Sequence, residues 1–252
     1  MARPEPGPGI AERIEGSLRQ FVAEATAAFG DDLRSVVLFG SAVDGSLRPT
    51  SDVNVLVVLR RFELARAERA GAAVALARAA IRLAPMFVLE TELQVAARSF
   101  AVKFADLLRR RRVLHGDDPL AGIAVPRAAR IDRLRQVALN VALRLRASLV
   151  DAATRDERLA PVIARAAGPL RAAALTLLEL EGTAAATSKE AFGRIAGEID
   201  AKRAERLLPE ISRARESASV TPGAGAETVL LLVDVALAIG VRVERLDRGG
   251  AP

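Results

Sequence analysis

The chain has 252 residues, 51 % of them apolar, and a net charge of +6. That length supports one large domain or two modest ones with separate cores, and two are expected. The lack of Cys excludes disulfides and thiolate metal sites, the single histidine, His115, excludes multi-histidine zinc sites, and an aromatic content of 3 % without Trp or Tyr supplies no base-stacking platform.

Residues 1–9, rich in Pro and Gly, read as a flexible tail that is neither a secretory signal nor a membrane anchor. From residue 10 to 29 the apolar positions Ile10, Ile14, Leu18, Phe21, Val22 and Ala25 recur at helical spacing, with Gly30 as a stop. Residues 35–39 and 53–59 are short β-branched and apolar runs separated by a polar turn containing Gly45 and Pro49, and they read as neighbouring strands. A helix is expected over 62–83, and further strands over 86–89 and 100–107. Gly116, Pro119 and Gly122 mark a link near 115–126.

Beyond residue 126 the pattern is helical throughout. Ile131, Leu134, Ala138, Val141, Leu145 and Leu149 line one face of a long helix, and the period returns over 160–181, 188–199, 201–214 and 227–246. The loop 216–226, rich in Ser, Gly and Pro, is expected to be mobile. The run 228–243 is shorter than the roughly 20 residues of a membrane span and carries Asp234, so it reads as a buried helix, with a dimer surface in a homo-oligomer as the alternative. The expected layout is an α/β (α+β) protein: tail 1–9, a mixed-sheet domain 10–122, and an all-α helical bundle 123–252. A cytoplasmic protein without a membrane segment is the default.

The stretch LFGSAVDGSLRPTSDVNVLVV, residues 38–58, carries the chemistry. A strand ends at Phe39, and Gly40–Ser41 makes a tight turn in which Gly lets backbone N–H groups approach an anion and Ser adds a hydroxyl donor. On the next strand a period of two places Asp52, Asn54 and Leu56 on one face and Val53, Val55 and Val57 on the other, with the valines toward the core.

Gly40–Ser41, Gly45 and Ser51-Asp52-Val53-Asn54 resemble the GS…G…SDxD signature of the polymerase-beta-like nucleotidyltransferase superfamily, and residues 100–120 are similar to the close of that domain in a bacterial subgroup. The resemblance implies a nucleoside triphosphate bound at Gly40, Ser41 and Ser51. It also implies three carboxylates holding divalent metal, Mg2+, for transfer of a nucleoside monophosphate, an EC 2.7.7 reaction. Asp52 stands at the first acid position, as the remaining metal ligand and catalytic acid. Asn54 stands at the second. With Phe100, Val102 and Phe104 forming the apolar face of an expected strand, the third position falls on Lys103.

One negative, one neutral and one positive group leave no net charge to hold a hard cation. An ammonium about 4 Å from a divalent ion costs roughly 8 kcal/mol at an effective dielectric near 20. The expectation is therefore a nucleotidyltransferase fold, a pseudoenzyme or weakly active transferase that binds ATP or another triphosphate, with Lys103 standing in for the metal beside Asp52. Two alternatives remain open: a working transferase that modifies a small molecule or protein through a displaced acid (Glu90, Glu92 or Asp106), and an RNA-binding or partner-regulating module. Strand parity places Asp106 beside Phe104, which disfavours it. Arg109 to Arg112, with Arg127, Arg130 and Arg133, would supply a nucleic-acid surface, although a solvated, salt-bridged face is the preferred reading. His115 reads as structural.

Overall fold

The computed structural model describes residues 8–43, 52–152, 155–183 and 185–248. The chain forms two compact units: one from the described residues of Met1–Ala97 with Phe104–Ala124, the other from Arg98–Lys103 with the described residues of Val125–Pro252.

The first unit opens with α1 (Pro8–Phe29), whose buried side chains Leu18, Phe21 and Ala25 recur at intervals of three and four. It continues through β1 (Leu33–Phe39), β2 (Val53–Leu59), α2 (Leu64–Ile81) and β3 (Leu83–Leu89). α3 (Leu93–Ser99) and α4 (Ala101–Arg109) follow, and β4 (Arg111–Gly116) closes the sheet. The strand order is β3-β2-β1-β4. β1 runs antiparallel to both β2 and β4, whereas β2 and β3 are parallel, with α2 as the crossover between them. Leu18, Phe21, Phe29, Val36, Leu38, Val55 and Val57 belong to one apolar cluster under the sheet.

Two expectations change here. On β2 the alternation ends after Asn54, because Leu56 and Val58 are as fully buried as Val55 and Val57. A central strand covered on both faces reads as a continuous apolar run. Residues 100–107 are not a strand, since Ala101–Arg109 is helical. Phe100, Val102 and Phe104 satisfy a period of two, but the same stretch satisfies a helical period with Ala101, Phe104 and Leu107 buried. Its Ala, Lys, Leu and Arg content favours the helix. β4 was legible only as an arginine run: it is an edge strand, where charge is tolerated and guards against further pairing.

The second unit contains α5 (Arg127–Ala152), α6 (Asp156–Leu180), α7 (Ser188–Ile199), α8 (Ala201–Ser217) and α9 (Gly225–Arg248). Its core draws on all five, with Leu134, Leu145, Ile163, Leu170, Phe192, Leu207 and Ile239 essentially inaccessible. The 228–243 run is part of α9 and its inner face is core, as expected. Thr187 and Asp200 cap α7 and α8, their side chains accepting from the N–H of Glu190 and Arg203.

The loop expected to be mobile is hydrogen-bonded to two helices from its middle to its C-terminal end. Asp156 accepts from the N–H of Gly223 (2.6 Å) and Gly225 (3.0 Å), and Glu210 accepts from the N–H (2.7 Å) and hydroxyl (2.9 Å) of Thr221. Composition alone does not reveal acids contributed from distant helices.

Candidate functional site

β1 delivers the chain to Phe39 in extended conformation, and Gly40 then turns it with φ +78°, a value that favours glycine. A short 3-10 turn, Gly40–Ala42, follows, closed by Val43 N–H donating to Gly40 O at 3.1 Å. Gly40 is buried and its own N–H donates to Arg110 O at 3.1 Å. Ser41 is half-buried beside it. Ser51 lies outside the described residues, as do Gly45 and Pro49.

Asp52 precedes β2 and is exposed. Its carboxylate is held by Arg82, whose Nε (3.1 Å) and Nη2 (2.9 Å) both reach Oδ1. Arg82 caps α2 in a left-handed conformation, φ 54° and ψ 41°, and its carbonyl accepts from Val53 N–H. The cation beside the remaining family acid is therefore an arginine between α2 and β3. No local sequence signal marks it, because parallel pairing of β2 with β3 is what brings residue 82 to residue 52.

Asn54 is half-buried on β2, opposite Phe39 of β1 and beside Ala84 of β3. Its Nδ2 donates to Asp52 O at 3.4 Å, a marginal hydrogen bond. Leu56 pairs with Met86, and β3 carries no ionisable residue between Leu83 and Leu89.

The position assigned to Lys103 rested on strand parity, which the helix removes. Lys103 lies on α4, in the 98–103 segment that clusters with the helical unit, with its side chain at the surface. Surrounding protein nevertheless desolvates its ammonium and lowers its pKa. Asp106, which strand parity set aside, comes to the Gly40 turn instead. A Cβ placed on Gly40 would lie 3.9 Å from both Asp106 Oδ2 and Asn54 Nδ2. Asp106 is engaged by Arg110 Nε at 3.0 Å and Arg109 Nη2 at 3.1 Å, within its own helical turn and the residue after it.

Glu90 and Glu92 are committed elsewhere. Glu90 pairs with Arg34 at 3.3 Å, and Glu92 accepts from Leu89 N–H at 2.9 Å. At about 3.3 Å per residue, the length of β2 separates Glu90 from Asp52 by roughly 20 Å along the sheet.

The other members of the arginine run are also paired. Arg111 meets Asp118 at 2.8 Å and Arg112 meets Glu15 at 2.5 Å. In the helical unit, Arg133 lies over the Phe100 ring at 6.0 Å, and burial together with the charge of Arg127 lowers the pKa of Arg130. His115 sits on β4, its carbonyl accepting from the Ser35 hydroxyl at 2.9 Å. Among the described residues no three His, Asp or Glu side chains form a group able to hold a metal ion. None of the described helices is long and apolar enough to cross a membrane.

A mixed sheet with a Gly-Ser turn beside an Asp-x-Asn strand, followed by a helical bundle, defines the class: a mixed α/β domain joined to an all-α one. Residues 18–113 match the family model described as nucleotidyltransferase domain. The N-terminal unit is a nucleotidyltransferase domain of the polymerase-beta-like superfamily. Among solved structures the chain is similar to the spectinomycin adenyltransferase AAD(9) from Enterococcus faecialis, crystallised with ATP and spectinomycin. That likeness has a TM-score of 0.59 at 13 % identity and covers 92 % of this chain and 99 % of that one, so it speaks to the fold. No curated protein sequence gives a significant match.

Proposed function

We propose that this protein binds a nucleoside triphosphate at the Gly40–Ser41 turn and carries out nucleotidyl transfer poorly or not at all. The observation that carries the reading is the ion pair of Asp52 with Arg82, beside an amide at Asn54 and an uncharged β3. This donor set does not fit a dedicated two-metal centre. Divalent Mg2+ prefers carboxylate and water oxygens in octahedral geometry, and a metal at Asp52 must compete with a guanidinium already within 2.9 Å. The asparagine carbonyl is a weaker ligand than a carboxylate. A nucleotide would instead meet fixed cations, with Arg82, Arg109 and Arg110 clustered around the two acids of the site.

A second reading is favoured by one observation. Asp106 Oδ2 and Asn54 Nδ2 stand equally close to the Gly40 turn, so a second carboxylate is present there although the family strand position lacks one. In that reading Asp52 and Asp106, released from their arginines, serve an active transferase.

Label transfer from α-labelled ATP and the other nucleoside triphosphates, with magnesium or manganese, separates the two. Spectinomycin belongs among the acceptors because the fold neighbour was crystallised with it. The first reading expects transfer near background in the wild type. Metal-dependent transfer abolished by both Asp52→Ala and Asp106→Ala would establish the second.

A further inference from the structure

α5 and α9 pack against each other in the helical unit. Arg135, early in α5, donates to Glu244 (2.6 Å) and Asp247 (2.8 Å) near the end of α9, so the two helices run antiparallel. Because both rise about 1.5 Å per residue, one step forward on α5 matches one step back on α9. Leu139 then lies level with Val241, Leu143 with Leu237, and Val150 with Leu230. All six are between 42 and 80 % exposed.

The outward stripe on α5 is Leu139, Leu143, Arg146, Val150, spaced four, three, four. On α9 it is Leu230, Asp234, Leu237, Val241, spaced four, three, four. This is the spacing of a helix-packing seam, although a solvent-facing helix surface is ordinarily polar. From residue 228 to 244 the only exposed side chains of α9 are apolar. The stripes also match in their one charged level: Arg146, exposed and without an ion pair among the described residues, lies level with Asp234, which is bound on one side by Arg203 at 2.6 Å.

We propose that this face docks a second copy of the same chain, in a two-fold dimer whose axis lies in the interface and parallel to the helices. Such a rotation sets the partner's α5 antiparallel over α9 and the partner's α9 over α5, giving a four-helix arrangement. Every level meets its own kind: three apolar levels, and one in which Arg146 of each chain faces Asp234 of the other. An isologous interface requires this self-complementarity, which an unrelated partner would not. The six apolar side chains expose on the order of 500 Å² per chain, and the residues between them extend the patch toward the ~800 Å² each partner gives a standard interface.

Sedimentation velocity across micromolar concentrations tests the proposal. The wild type sediments as a dimer, and Leu237→Lys and Arg146→Glu each raise the dimer dissociation constant about tenfold or more, with unchanged circular dichroism because both sites are at the surface. The chain has no native cysteine, so a cross-link can be read without background. Mixed Leu143→Cys and Leu237→Cys chains oxidise to the heterotypic disulfide, while Leu143→Cys alone does not cross-link. A monomeric wild type, a dimer indifferent to Leu237→Lys, or cross-linking of Leu143→Cys to itself would overturn the proposal.

Discussion

Asp52 and Asp118 show how differently one residue type is used in this domain. Asp52 is exposed and tethered by Arg82 at the mouth of the sheet, whereas Asp118 organises the exit from β4. Arg111 donates to Asp118 and lowers its pKa; burial opposes this, and the Leu120 N–H and the charge of Arg111 add to the lowering. A folded-state pKa below the ordinary 3.8 means the carboxylate stabilises the fold above that value and ceases to do so as pH falls through the folded pKa. Asp118→Asn should cost about 1 kcal/mol at neutral pH, in the range of a partly exposed charge-assisted bond. The difference from wild type should shrink when denaturant melts are repeated near pH 3.

At the scale of elements, turn chemistry and periodicity placed β1, β2, α2 and the helices of the second unit correctly from local pattern. The exceptions are α3 and β4, which no local pattern marked, and α4, which reads as a strand. Nine residues, Ala101–Arg109, fit both periods, and sequence spacing alone could not choose between them. That error moved a lysine into the site and an aspartate out of it. Asp52 and Asn54 were legible because a motif marks them, whereas Arg82 and Asp106 become neighbours of that motif only through the parallel β2–β3 pairing and the helical phase of α4.

The connection between α8 and α9 is the expected loop, and the glycine at its end serves close packing. A Cβ on Gly225 would stand 2.3 Å from Asp156 Oδ1 and 3.2 Å from Leu159 Cδ1. Gly225→Ala should therefore destabilise the helical unit by about 1–3 kcal/mol through overpacking. Thermal melts check this, and Asp156→Ala, which opens the space but also removes the bonds to Gly223 and Gly225, should cost less in that background than in the wild type.

For the whole molecule, the basic net charge of +6 invited a nucleic-acid reading. Arg109 and Arg110 share Asp106, while Arg111 and Arg112 face Asp118 and Glu15, so most of their charge is compensated locally rather than presented as a stripe. Anisotropy titrations with single-stranded RNA at physiological salt should give no binding tighter than the non-specific range of about 10⁻⁴–10⁻⁶ M. Tighter binding with a steep salt slope would restore the RNA-binding alternative.

The account turns on the electrostatics at Asp52. Calorimetric titration of Mn2+ into the wild type and into Asn54→Asp with Arg82→Ala probes them directly. The double variant adds a carboxylate and removes the competing guanidinium, and each change worth about 1.4 kcal/mol is a tenfold gain. Binding is expected to be weak or absent in the wild type and at least about tenfold tighter in the double variant. Equal, tight binding in both proteins, lost on Asp52→Ala, would contradict it.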